Sequence, residues 1–257
     1  MRIRAGYRVG FETFGPTPMN FLLSVCPERR RDLLTAESIS FAPVIPTRED
    51  FHAFGNVVTR ILAPGRNFTV SADFVIADLG FPDGYAPTAS KIPVPDLPLP
   101  YLLGSRYCET DKLSQLAWNF FGSSWRGWPR VQAVADYVHN HLRFDYQLAS
   151  ETRPAAKSHE AQVGVCRDFA HLAVTFCRCL SMPARYATGY LGDIGVPPDP
   201  APMGFSAWFE IYLNGPEGPR WCIRRQAQSS PCWPHRDGSR PGRDRLRAQH
   251  KLRYRSP

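Results

Sequence analysis

The chain has no apolar run near the roughly 18 residues a membrane span needs, and its first residues alternate polar with apolar instead of forming a signal peptide. Those absences set the expectation of a cytoplasmic protein with no membrane partner. Its seven cysteines are odd in number and unevenly spaced, which argues against a disulfide framework. No His/Cys pair with zinc spacing accompanies Cys177 and Cys179, which would point in different directions on a helix, so no metal is expected. No glycine-rich phosphate loop is present, and no cofactor is expected. Net charge is missing from most of the chain. Residues 1–221 hold 21 basic and 21 acidic side chains, so the whole formal charge of +8 sits in 222–257, with ten Lys/Arg against two Asp/Glu. A neutral body without a nucleic-acid motif gives no reason to expect a nucleic-acid partner.

With 257 residues and 43% hydrophobic content, the chain can bury one sizeable core or two modest ones. Ile3, Ala5, Tyr7, Val9 and Phe11 alternate with mostly polar residues, and so do Phe68, Val70, Ala72, Phe74 and Ile76, which predicts half-buried antiparallel strands. Residues 1–90 therefore read as a β-rich N-terminal domain. The stretch KIPVPDLPLP, 91–100, can neither continue a sheet nor start a long helix and reads as a linker. Helices follow. Thr110 can cap one carrying Leu113, Leu116, Ala117 and Phe120, and a second begins at Pro129 with Val131, Val134, Ala135, Val138 and Leu142 inward. A third carries Phe169, Leu172, Ala173, Phe176, Cys177 and Leu180 on one stripe, and Pro183 stops it. Further on, Phe205, Ala207, Phe209, Ile211 and Leu213 alternate with Ser206, Trp208, Glu210 and Tyr212, as the two faces of a strand do. Helices then strands over 101–221 predict an α+β core.

Cys166 lies in the first turn of the third helix. Unsatisfied backbone N–H groups and the positive end of the helix dipole stabilise an anion there and lower a thiol pKa. Because the thiolate is the attacking species, this is a place for a nucleophile, although a small buried core cysteine fits the position as well. Asp168 can bond locally at the helix start as structural support. His171 is five residues on and turned about 140° away around the helix; it reads as a packed residue. His159 lies in a loop-like stretch seven residues before the cysteine. His139 and His141 end a helix, where a cation suits the dipole.

The run GVCRDFAHLAVTFCRCLSMPARYATGY, 164–190, closely resembles the core of the transglutaminase-like superfamily of papain-like cysteine enzymes, in a bacterial branch with a β-rich N-terminal domain. The pattern Gly-x-Cys-x-Asp-Phe-Ala stands as Gly164, Cys166, Asp168, Phe169 and Ala170, and a Pro-Ala-Arg-Tyr strand as Pro183, Ala184, Arg185 and Tyr186. The resemblance continues to FSAWFEIYL at 205–213. It implies a papain-like or transglutaminase-like core of helices packed on an antiparallel sheet, with Cys166 as nucleophile. It also implies a histidine before an Ala-Trp pair, and that place is Ser206, ahead of Ala207 and Trp208, on the strand face where a base would project toward the cysteine. A hydroxyl cannot hold a proton at neutral pH as imidazole does, which puts ordinary Cys/His catalysis in doubt.

The family aspartate is expected a few residues after the next tryptophan, Trp221. The basic tail stands there instead. Two readings compete: a disordered arm for anionic surfaces, and a stretch translated in a shifted frame. With free bases chosen to suit, the codons of Cys222 to Gly238 read one base on give Ala-Phe-Asp-Ala-Arg-His-Asn-His-Pro-Arg-Val-Gly-Arg-Ile-Val-Met-Ala, which resembles the family and places an aspartate across Arg224 and Arg225. The PEGP stretch at 216–219 is a candidate point of lost register, and the gene sequence across codons 214–225 decides the matter. The frame-shifted reading is favoured, with 222–257 poorly ordered.

Three functions of different class follow. The first is a cysteine acyl-transfer enzyme acting on a peptide or protein substrate by amide hydrolysis or transamidation, impaired in this chain. The second is a catalytically silent relative that binds peptides in the same cleft, and the third a nucleic-acid binder acting through the tail. The first is preferred, with Cys166 and Ser206 at the reaction and Asp168 and Trp208 supporting.

Overall fold

The computed structural model describes residues 2–78, 99–189, 205–215, 218–224 and 254–256. Most of them fall into two compact units, 2–78 with 188, 189 and 205, and 99–187 with 206–215 and 218–224. Of the proline-rich stretch, 91–98 lies outside the described residues; its last two residues open a 3-10 turn, Leu99–Leu102, that buries Tyr101.

The first unit is built on β1 (Arg2–Phe11), β2 (Pro16–Phe21), β3 (Ser40–Ala42), β4 (Arg48–Phe51), β5 (Val57–Pro64) and β6 (Phe68–Ala77). They form two three-stranded sheets, in the orders β1-β6-β3 and β2-β5-β4, with every pairing antiparallel. The two alternating segments found in the sequence pair with each other over their whole length, from Arg2 opposite Ala77 to Phe11 opposite Phe68. Phe68, Val70, Ala72, Phe74 and Ile76 are all buried, as period-two patterning requires. Phe21, Ile61 and Ala63 from one sheet meet Phe41, Phe68 and Val70 from the other in a shared core. Pro16 and Pro18 sit on β2, an outer strand, where a missing N–H does not break an inner ladder.

The second unit runs α1 (Thr110–Phe121), α2 (Trp128–His141), β7 (Arg143–Phe144), α3 (Ala155–Ala161), β8 (Val163–Gly164), α4 (Cys166–Cys179), β9 (Ala184–Gly189), β10 (Ser206–Gly215) and β11 (Gly218–Arg224). β7 and β8 form a short parallel pair. In the main sheet β10 lies between β11 and β9, with β10 and β11 antiparallel. Helices and sheet are segregated, so the fold is α+β. Two details differ from the sequence reading. Thr110 is the first residue of α1 rather than its cap; Glu109 holds the cap position, and its carboxylate accepts from the Ala156 N–H at 3.1 Å. Phe121, not Phe120, turns inward: both rings meet Tyr137, but Phe121 also meets Phe176 edge-on.

The stripe expected on α4 is present, but the helix is enclosed on nearly every side: Cys166 and every residue from Asp168 to Cys179 are buried. α1, α2 and α3 pack around it, and the inward row of β10, Phe209, Ile211 and Leu213, shares its core. Buried Arg178 ties its far end down, donating from Nε to the Ala184 carbonyl at 3.0 Å and from Nη1 to the Leu103 carbonyl at 2.7 Å. Among the described residues no helix is long and apolar enough to cross a membrane, and no disulfide joins the described cysteines.

Candidate active site

α4 begins at Cys166 because the chain turns out of β8 through Val165, whose extended backbone caps the helix. Val165 has no side-chain acceptor to offer. Asp168, three residues on and fully buried, supplies half of a capping box: its Oδ2 accepts the Val165 N–H at 2.8 Å. Ser158 Oγ lies 3.4 Å from Oδ1, and Arg153 Nη1 stands 3.7 Å from Oδ2, so a cation faces the buried carboxylate. This also accounts for Gly164, since a Cβ there would lie 2.5 Å from the Asp168 Cβ. The spacing Gly-x-Cys-x-Asp is thus a local device. Glycine admits the carboxylate, the carboxylate holds the turn, and the turn presents Cys166 at the helix N-terminus.

Cys166 and Ala170 from α4 form a small buried cluster with Ala207 of β10, flanked by Phe144 and Tyr186. Ser206 opens β10 and is half-buried, next to the residue that touches the cysteine cluster. Along the strand Ala207, Phe209, Ile211 and Leu213 are buried against the helix, so alternation assigns Ser206 to the face of Trp208 and Glu210. The structure therefore brings the start of α4 and the start of β10 together, with Ala207 as the point of contact.

The opposite face of the sheet holds a polar arrangement that the sequence reading missed. Glu210 Oε2 accepts from both Arg185 Nε at 2.8 Å and Nη2 at 2.6 Å, in an ion pair with residue exposures of 0% and 1%. Trp208 Nε1 donates to the other carboxylate oxygen at 3.3 Å. The Arg185 Cζ lies 4.0 Å from the centroid of the Trp221 ring, which meets Tyr101 and Tyr212 edge-on. Trp208 thus supports a carboxylate on the neighbouring turn of the pleat. A signal existed in the sequence: Glu210 sits inside an otherwise apolar strand, where a charge needs a partner.

His171 does not serve as a base at neutral pH. Its ring stacks on Tyr107 at 5.1 Å and leans on Tyr186 at 4.9 Å, and its Nδ1 is buried without a hydrogen-bond partner among the described residues. Burial, with Arg167 and Arg178 adding to it, pushes its pKa from 6.5 down to about 3. Between those values the unfolded chain binds a proton that the folded protein refuses. The neutral ring's stability contribution is therefore whole above about pH 6.5 and lost as the pH falls, by up to roughly 1.4 kcal/mol per pH unit. In urea titrations from pH 7 to pH 4, His171→Phe is expected to flatten the acid side of the stability curve; an unchanged slope would show that this ring is not what titrates. His159 is also occupied elsewhere, with its Nε2 2.9 Å from the Tyr137 hydroxyl and its ring stacked on His141 at 4.2 Å.

A cysteine at the head of a buried helix that packs on an antiparallel sheet defines the papain-like class of fold. Residues 123–223 match the family described as the transglutaminase-like superfamily. These residues form a transglutaminase-like domain. The match ends two residues into the basic tail. Among solved structures, a candidate cysteine protease from Cytophaga hutchinsonii is 28% identical, with a TM-score of 0.73 over 89% of this chain and 77% of that one. The periplasmic domain of TgpA from Pseudomonas aeruginosa, bound to ethylmercury, is 14% identical, with a TM-score of 0.43 over 87% of this chain and 72% of that one. No curated protein matches the chain.

Proposed function

We propose that this protein performs cysteine acyl transfer on a peptide or protein amide, with Cys166 as the nucleophile. The observation that carries the reading is the placement of Cys166 at the first position of α4, in one cluster with the start of β10. The thiolate attacks the amide carbonyl carbon, and the oxyanion that forms faces the N–H groups of the helix start. The C–N bond then breaks, the amine or ammonia leaves with a proton, and water or a second amine resolves the thioester. Asp168 positions the turn that carries the thiol. Ser206 occupies the place of the family's base and cannot accept the thiol proton at neutral pH, so thiolate formation falls to the helix terminus and turnover is impaired. That same serine favours the second reading, a silent relative that binds peptide beside an idle cysteine. A body with equal numbers of acidic and basic residues fits neither a nucleic-acid nor a membrane partner. We read 222–257 as translated in a shifted frame, which removes the aspartate the family places after Trp221.

Alkylation separates the two readings. Burial raises the pKa of Cys108 and of Cys177, and pushes that of Cys179 up to about 11. A thiol at a helix N-terminus shifts the other way. With iodoacetamide at pH 6, mass spectrometry is expected to find Cys166 modified at least about tenfold faster than these three. Uniformly slow modification would leave only the silent peptide binder.

A further inference from the structure

A carboxylate in the first turn of a helix acts on a neighbouring thiol in two opposite ways. Asp168 follows Cys166 by two residues, and by accepting the Val165 N–H at 2.8 Å it holds the turn that presents the sulfur. As a negative charge it also opposes a thiolate beside it, since a like charge disfavours the ionised form. Asp168 is fully buried, so water and salt screen that repulsion little. The shape of the turn favours the nucleophile while its charge works against it.

Arg153 stands where the second effect can be cancelled without losing the first. Its Nη1 lies 3.7 Å from Asp168 Oδ2, the oxygen that accepts the Val165 N–H, and among the described residues it is the one cation paired with that carboxylate. The two side chains are 15% and 0% exposed, which keeps the attraction strong. Backbone fixes the guanidinium in place: Nη1 donates to the Val163 carbonyl at 2.9 Å and Nη2 to the Leu148 carbonyl at 2.7 Å. Val163 belongs to β8, which leads into Cys166, and Leu148 to the 3-10 turn Tyr146–Leu148. The other elements about the cysteine bring different groups. α3 offers the carboxylate a neutral hydroxyl, Ser158 Oγ at 3.4 Å, and α4 itself carries Arg167, whose charge acts on His171. Beside Phe144 of β7, Arg143 and Asp145 pair with each other at 2.9 Å; β9 contributes the Tyr186 phenol, and Glu210 of β10 is held by Arg185.

We propose that Arg153 is a positioning residue for the Cys166 thiolate: by neutralising the Asp168 carboxylate it leaves the first turn of α4 both ordered and favourable to an anion. The inference rests on the acyl-transfer reading above for the use of that thiolate, but the ionisation itself is measurable without turnover.

The test follows iodoacetamide labelling of Cys166 by peptide mass spectrometry from about pH 5 to about pH 10, across the thiol range, in the full chain and its variants. Arg153→Gln keeps a donor for the carbonyls and removes the charge, so the labelling midpoint is expected to rise by about one pH unit, with labelling below the midpoint about tenfold slower. Arg153→Lys keeps the charge and is expected to restore most of the parent profile. With Asp168→Asn already in place there is no carboxylate to neutralise, and Arg153→Gln is expected to lose most of its effect. The proposal is overturned by an unchanged midpoint in Arg153→Gln, by an equal rise in Arg153→Lys, which would make the cause geometry rather than charge, or by an undiminished rise in the double variant. Should Arg153→Gln fail to fold by circular dichroism, the other two single variants carry the test. A parent-like midpoint in Arg153→Lys and a lowered one in Asp168→Asn are then expected, and a midpoint raised in either, or unchanged in the second, overturns the proposal. A parent midpoint near that of an ordinary thiol, about 8.5, that still rises in Arg153→Gln would remove the enzymatic reading and leave this inference standing.

Discussion

Replacing Ser206 by histidine is expected to raise turnover of a glutamine-containing peptide by about a hundredfold and to create a pH dependence with an apparent pKa near 6.5. Cys166 already has the anion-favouring helix terminus, but a thiol loses its proton readily only when a group of matching pKa stands ready to take it. A hydroxyl is the wrong chemistry at any distance. Position 206 adjoins Ala207, which packs into the cysteine cluster, so the start of β10 is already docked. A side chain at 206 leaves the strand on the face opposite Ala207, so reach decides whether it addresses the thiol, and imidazole reaches further than a hydroxymethyl group. The expected gain is set at the low end of general-base effects because 222–236 contain no aspartate to orient the new ring, and a base with a poorly fixed tautomer loses much of its value. The measurement is the pH profile of kcat/KM and of iodoacetamide labelling for both proteins. If neither changes, position 206 does not address the thiol, and the histidine of the family has no functional equivalent here.

Glu210→Ala is expected to cost about 3–5 kcal/mol, read by urea unfolding, because it leaves the Arg185 guanidinium buried without its counter-ion. For a chain of this size that corresponds to a fall in melting temperature on the order of 10 °C. The stacked Trp221 ring offsets only a small part of the loss, since a cation–π contact contributes about 2 kcal/mol even when desolvated and is already present in the parent protein. The double replacement Arg185→Met with Glu210→Leu separates the two sources of stability. If the pair matters mainly as charges that need each other, the double variant regains most of what the single one loses. A double variant as unstable as the single would instead make the hydrogen-bonded geometry of the pair the stabilising element.

The parts of this molecule that were legible in its sequence are those whose causes are local. β1 and β6 could be read because alternation fixes which side chains face inward. The Gly164–Asp168 turn could be read because its members lie within five residues of one another. Phe120 and Phe121 could not be told apart by pattern, since both end α1 and Tyr137 touches both, and packing against Phe176 chose between them. Thr110 lost the cap because Glu109, one residue earlier, found a partner 47 residues away. The Arg185–Glu210 pair was out of reach for the same reason: each strand announced one half of it, and only the sheet brings the halves together.

The burial of α4 on nearly every side has a consequence for time rather than for shape. A helix enclosed by three others and a sheet opens only when the whole unit does, so its amide protons should be among the last in the protein to exchange with solvent. Cys166 is the first residue of that helix, and so lies where protection by the enclosed middle ends. Its rate of modification, compared with amide exchange along the helix, is expected to separate ionisation and access from fraying of the first turn.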